Sequence, residues 1–136
     1  MRLKNTGMVE MTEYKRAKNK LDKVFSEYIR KRDKYICFTC GIQSKEKAQC
    51  GHLFSRISTA TRWDEINSKC QCAGCNCKHE FDFEIYRRRF VDLHGEKVYN
   101  NLYKKFKSTV KLKTYELLEL VNAYQEKIKE LDKQDK

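Results

Sequence analysis

Two Cys-x-x-Cys pairs carry the most specific chemistry in this sequence: Cys37-Phe38-Thr39-Cys40 and Cys72-Ala73-Gly74-Cys75. A pair with two intervening residues sets two thiolates on one tight turn, and two such pairs complete the four-sulfur shell that zinc takes in structural sites. The gap between them, residues 41–71, is longer than the roughly 15–20 residues of a plain zinc ribbon. Something is therefore folded into it. His52 lies in that gap, behind Gly51 and ahead of Ser55 and Arg56, with Asn67 before the second pair and Asn76 directly after it. A neutral imidazole so placed is suited to take a proton from water. Phosphodiester hydrolysis needs such a base, together with a cation that stabilises charge developing on the phosphoryl group.

Composition limits what such a site can sit on. The 136 residues make room for one domain. With 36% charged residues its core is small, and a metal cross-link would help hold it. The 30 basic residues outnumber the 19 acidic ones, for a net charge of +11. Zinc held by four thiolates would lower that surplus only by about two. The surplus favours a polyanion such as nucleic acid. A membrane partner is not expected, because there is no long apolar run and no leader pattern, and the chain reads as cytosolic. Seven cysteines, an odd count with paired spacings, point to metal thiolates rather than disulfides. Cys50, Cys70 and Cys77 have no partner at that spacing and read as small buried hydrophobes or idle thiols.

The positioning elements follow from periodicity. Residues 1–11 carry no pattern and read as a loose basic tail. Over residues 12–34 Leu21, Val24, Phe25, Tyr28 and Ile29 recur at helical spacing, opposite a lysine- and arginine-rich face that Asp22, Glu27 and Asp33 only partly neutralise. Residues 35–39 and 48–54 read as strands, 55–62 as a basic loop suited to a phosphate backbone, 63–67 as a turn and 69–71 as a third extended piece. A helix is expected over about 80–93, with Arg87, Arg88 and Arg89 on its basic side and Gly95 as its stop. Further helices are expected over 96–107 and 112–132. The last bears a stripe of Leu117, Leu120, Val121, Tyr124, Ile128 and Leu131, to be packed on the first helix or on a second copy of the chain. No proline, few glycines and no internal repeat complete an α+β expectation: one domain, mostly helical, with a zinc-stapled core at 35–94 between a basic helix and C-terminal helices.

Several stretches together resemble the HNH, or ββα-metal, endonucleases, and more closely the phage NinG (Rap) recombination endonuclease family. They are Leu21-Asp22-Lys23-Val24-Phe25-Ser26-Glu27-Tyr28-Ile29-Arg30, Cys37-Phe38-Thr39-Cys40-Gly41, Gln49-Cys50-Gly51-His52, Ser55-Arg56, Thr61-Arg62-Trp63-Asp64, Asn67, Gln71-Cys72-Ala73-Gly74-Cys75-Asn76, Lys78-His79 and Tyr86. The resemblance covers about residues 14–131. It implies cleavage of branched DNA, including Holliday-type junctions and displacement loops, by a phage or prophage protein in the host cytosol. It further implies a structural zinc on Cys37, Cys40, Cys72 and Cys75, His52 as general base, and Asn67 as the residue that ties down the loop bearing that base. Asn76 falls where such proteins place a ligand for a catalytic Mg²⁺ or Mn²⁺, and His79 where junction-cleaving relatives carry an acidic active-site residue.

One position departs from the pattern. Many HNH enzymes have a metal-binding aspartate directly before the base, and here that place is Gly51. Asn76 and His79 alone are poor in negative charge for Mg²⁺. Asp64, Glu65, Glu80, Asp82 and Glu84 are the acids that could reach in, or a DNA phosphate supplies ligands, and a softer ion tolerates His79 better. In this reading Ser55, Arg56, Arg62, Arg87 and Arg88 contact DNA, branch preference comes from shape, and a homodimer would make the two cuts that a symmetric junction needs. His52 and Asn76 are expected to line one cleft wide enough for a phosphate. The competing class is a non-catalytic zinc-stabilised DNA-binding module, which has the cysteines and the charge but no use for His52, Asn67 and Asn76 together. A third, a protein-interaction zinc domain, would lack salt-sensitive DNA affinity.

Overall fold

The computed structural model describes residues 2–135, with side chains described from Thr12 onward. The elements run α1 (Arg2–Arg32), β1 (Ala48–His52), α2 (Thr59–Arg62), β2 (Ser68–Cys72), α3 (Ala73–His79), α4 (Phe83–His94), α5 (Glu96–Phe106) and α6 (Thr114–Gln134). The chain divides into two compact units, Met1–Tyr28 with Lys111–Lys136, and Ile29–Val110.

The first unit pairs α6 with the body of α1. Ala17, Leu21, Val24 and Phe25 are buried on α1, and Leu117, Val121, Tyr124 and Ile128 on α6. The Phe25 ring meets Tyr124 edge-on at 5.1 Å, and Tyr28 lies 5.3 Å from the same ring. Lys127 sets its ammonium over Tyr28 and Tyr124. Glu116 reaches back to accept from the Lys113 N–H at 3.1 Å, satisfying a donor ahead of the first turn of α6. Of the two places open to the α6 stripe, it takes the one within the chain. Helix α1 begins at Arg2, where the sequence placed a loose tail over 1–11. Its absence of periodicity was a poor guide, because each residue added to a formed helix gains a hydrogen bond whether or not it has an apolar face to bury.

The second unit opens where α1 ends. Lys34 and Tyr35 are left-handed, with φ of 56° and 60°, a conformation costing about 1–2 kcal/mol per non-glycine residue. The turn is closed by the Tyr35 N–H on the Arg30 carbonyl at 2.9 Å. The strand expected over 35–39 shrinks to a single bridge, Ile36 with Gln43. Its cause is the first cysteine turn, in which the Gly41 N–H returns to the Cys37 carbonyl. β1 and β2 pair antiparallel, from Ala48 opposite Cys72 to His52 opposite Ser68. The outer edge of β2 is covered at Cys70, whose N–H donates to Asp33 Oδ2 and whose carbonyl accepts from Phe38. Arg32 holds Asp33 at 2.8 Å and donates to the Glu65 and Ser68 carbonyls.

The helix expected over 80–93 is α4, which begins at Phe83, and a short helix the sequence did not indicate, α3, precedes it with a turn at 80–82 between them. Gly95, at φ 90°, ends α4 as the sequence indicated. Leu53, Phe54, Tyr86, Phe90 and Leu102 form the core, with Phe38, Phe83, Val98, Tyr99 and Phe106 against it. Phe54 stacks on Phe106 at 5.0 Å. This is an α+β, mostly helical architecture whose one small sheet lies beside the cysteine turns.

Candidate metal centre and imidazole site

The two cysteine turns converge. The sulfurs of Cys37, Cys40, Cys72 and Cys75 all lie within 4.8 Å of one another, and Cys40 and Cys72 are 3.8 Å apart. Tetrahedral zinc with Zn–S bonds near 2.3 Å sets its sulfurs about 3.8 Å apart, so the donor set fits one zinc ion. In each turn the amide of the second cysteine points at the first sulfur, Cys40 to Cys37 at 3.4 Å and Cys75 to Cys72 at 3.5 Å. Burial opposes ionisation of Cys37, but backbone N–H groups from Cys40, Cys72 and Thr39 outweigh it and bring the thiol down to about 7. Cys75 goes the other way, held protonated by burial and by the thiols around it. Burial pushes Cys50 up to about 12 and, with the Asp33 charge, Cys70 to about 11, and Cys77 is exposed. These three stand outside the cluster.

His52 is the last residue of β1 and is half-buried. Its Nε2 lies 2.8 Å from the Arg62 carbonyl. A carbonyl only accepts, so Nε2 carries the proton and the lone pair is on Nδ1. Asn67, fully buried, clamps the loop after β1: Oδ1 accepts from the Phe54 N–H at 2.8 Å, and Nδ2 donates to the carbonyls of Phe54 and Thr61 at 2.9 and 3.0 Å. Thr61 and Arg62 belong to α2, so one amide fixes both the exit of β1 and the short helix that holds the imidazole.

Asn76 and His79 come from α3. Asn76 Nδ2 donates to Gln49 Oε1 at 2.9 Å, and His79 Nε2 donates to the Leu53 carbonyl at 2.9 Å. The His79 ring lies 4.9 Å from Tyr86, and its Nδ1 is buried with no hydrogen-bond partner. Strand alternation sets Gln49 and Gly51 on one face of β1 and Cys50 and His52 on the other. Asn76 therefore meets the strand on the Gln49 face and the imidazole leaves it from the opposite one, so the one cleft expected to hold both is not formed by a single face of the strand.

The departure at Gly51 has a structural counterpart. A Cβ on Gly51 would fall on the carboxamide oxygen of Gln71 and 2.7 Å from its Cδ, so no side chain fits there while Gln71 keeps its place. Tyr86 adds a bond from its hydroxyl to the Gly51 carbonyl at 2.8 Å. Neither Gln71 nor Tyr86 is given a role by residue type. The one signal that could have found Gln71 is the glycine, since glycine within a strand marks a close approach by another group.

Among the basic residues, Arg56 is exposed, and its carbonyl accepts from Arg62 Nη1 at 3.2 Å. Arg62 also lies over the Trp63 ring, so its guanidinium braces the loop. Ser55 Oγ accepts from the Ile57 N–H at 3.5 Å. Arg87 is engaged by both Glu84 oxygens at 2.8 and 2.9 Å, whereas the more exposed Arg88 is 4.0 Å from that carboxylate. Of the acids considered for the metal, Asp64 is paired with Lys105 at 2.6 Å and Glu84 with Arg87.

The class these features define is a mostly helical α+β protein around a four-cysteine centre placed to hold one zinc. The chain belongs to the NinG family, described as Bacteriophage Lambda NinG protein, whose model matches residues 3–135. No curated protein and no solved structure matches it. Among the described residues no helix is long and apolar enough to cross a membrane.

Proposed function

We propose that this phage-family protein is a metal-dependent DNA endonuclease of the HNH, or ββα-metal, type that cuts branched recombination intermediates, Holliday-type junctions or displacement loops, in the host cytosol. The observation that carries this reading is the hydrogen bond from His52 Nε2 to the Arg62 carbonyl, which fixes the tautomer a general base requires. Asn67 is a positioning residue, because its three bonds hold both the loop and the helix from which that carbonyl projects.

In the reaction His52 Nδ1 takes a proton from water as the water oxygen bonds to phosphorus and the bond to the departing 3′ oxygen breaks. Solvent protonates the leaving oxygen. Arg56 binds an adjacent phosphate, and Arg62 acts by holding the Arg56 carbonyl. The scissile phosphate would sit at the end of β1, beside Leu53, since His52 leaves the strand from one face and Asn76 meets it on the other. Asn76 Oδ1 and His79 Nδ1 would hold the divalent ion. An amide oxygen with an unpartnered imidazole nitrogen fits Mn²⁺, and Mg²⁺ less well. That ion, when bound, stabilises charge developing on the phosphoryl group and leaving oxygen. The zinc is structural, since four sulfurs leave no open position. Two copies of the chain would make the paired cuts of a symmetric junction. The buried α6 stripe is not their interface.

The missing carboxylate at Gly51 favours a second reading, a zinc-stabilised DNA-binding module without catalysis. Metal-dependent nicking of a synthetic junction separates the two. The wild type is expected to nick, and His52→Ala to lose nicking with zinc content and helicity unchanged. Cleavage undiminished in that variant removes the base assignment.

A further inference from the structure

Gln71 is 1% exposed, and its amide is used on one side only: Nε2 donates to Thr39 Oγ1 at 2.8 Å, while Oε1 is buried with no hydrogen-bond partner. A buried carbonyl oxygen left without a partner costs about 1–3 kcal/mol. The position of that oxygen is informative. It fills the volume a side chain on Gly51 would enter, the place where the endonucleases this chain resembles carry a metal-binding aspartate.

Its surroundings belong to the same face of the hairpin. Gln71 is directly opposite Gln49 in the ladder, and Gln49 is the residue bound by Asn76. Cross-strand neighbours of this kind have Cβ atoms about 5 Å apart, so Gln71 and Asn76 each adjoin Gln49 on this face. Gln49 is exposed and Asn76 half-buried, which leaves that rim open to solvent. His79 brings a second buried unpartnered acceptor from the same helix as Asn76.

We propose that Gln71 Oε1 is an oxygen ligand for the divalent ion, reaching from β2 into the place that Gly51 leaves vacant on β1. This rests on the nuclease reading for the expectation of a divalent ion at this face, while its binding is tested without DNA. Amide oxygens are hard donors accepted by divalent cations. A shell of Gln71, Asn76 and His79 carries no negative charge, so binding in the absence of DNA is weak, and a phosphate oxygen strengthens it. The glycine and the glutamine are one device: the first has no side chain so that the second can supply the oxygen.

The test is direct binding of Mn²⁺ to the zinc-loaded full chain without DNA, followed by loss of the free-ion electron paramagnetic resonance signal. Gln71→Glu, which adds a charge at the same reach, is expected to tighten binding at least tenfold. Gln71→Met, of similar length with no oxygen, is expected to weaken it at least tenfold. If the methionine variant fails to hold zinc, the glutamate variant carries the test through its melting temperature, which Mn²⁺ should raise. Equal affinity in all three chains, or no such rise, means that the oxygen holds a water alone and overturns the proposal. Metal-dependent nicking with Mn²⁺ affinity indifferent to residue 71 would sink this inference and spare the nuclease reading. Affinity that follows residue 71 in a chain that never cuts DNA would do the reverse.

Discussion

The α1–α6 unit and the cysteine-bearing unit both bury apolar side chains, but the second adds a set of directional bonds. In the first, buried side chains at helical spacing do the work, and aromatic contacts such as Phe25 on Tyr124 add to them. In the second, an apolar core of Leu53, Phe54, Tyr86, Phe90 and Leu102 is joined by directional bonds: Asn67 across its loop, Asp33 and Phe38 on the edge of β2, and four sulfurs around one point. Apolar burial is indifferent to a rotation of a few degrees, whereas the general base proposed above is not. The unit that carries the histidines is the one that adds hydrogen bonds and sulfur ligands to its apolar core, and the two should respond differently to the same insult.

Metal removal should give the largest difference. Zinc bound by four thiolates contributes on the order of 10 kcal/mol to folding in small sites, more than residues 29–110 can lose and stay folded. Chelation, or Cys72→Ser, is expected to release amide protection in β1 and β2 while the amides between Leu117 and Ile128 stay protected. Hydrogen exchange with mass detection reads both at once. Simultaneous loss in both regions would break the comparison.

A truncation on the other side sharpens it. Phe25→Ala removes a buried ring and is expected to cost about 3–5 kcal/mol, read as an earlier urea transition with zinc stoichiometry unchanged. Asn67→Ala comes next, at about 2–4 kcal/mol. It strands the Phe54 N–H and two carbonyls in a buried place, each worth about 1–3 kcal/mol before relaxation. Under the proposed nuclease function its signature is a nicking rate that falls more steeply than stability, since the short helix bearing the Arg62 carbonyl loosens first.

The same contrast decides what could be read from sequence. Burial at helical period leaves a trace, so α6, its apolar stripe and the Gly95 stop were legible, as were the cysteine turns by their spacing. Directional closure leaves little. Nothing in Lys34 or Tyr35 announces a left-handed turn, since either residue type avoids it unless its surroundings force it. Helix α3 spans Ala73-Gly74-Cys75-Asn76-Cys77-Lys78-His79 and has no apolar stripe to show. It forms because Cys72 caps it, accepting from the Cys75 amide. The role of Asn67 was legible only through resemblance, and that of Gln71 was not legible, since a glycine in a strand marks a close approach without naming the group that makes it. Lys69, buried beside His94, gave no sign at all.

That lysine sets up the smallest effect. Lys69 Nζ donates to His94 Nε2 at 2.8 Å, so His94 accepts as a neutral ring with its proton on Nδ1. Burial, then the charges of Lys69 and Arg32, hold the His94 pKa below its ordinary value of 6.5. A proton that the unfolded chain binds near pH 6.5 is thus refused by the folded one. Stability from this group is complete above pH 6.5, declines as pH falls below it, and levels off under the folded pKa. Melting temperatures between pH 7.5 and 5 should show that decline, and His94→Gln should flatten it in part. All three histidines lie in residues 29–110, so the loss belongs to that unit. Protection of α6 amides that falls in parallel over the same range would show that the helical pair depends on the cysteine unit for its stability.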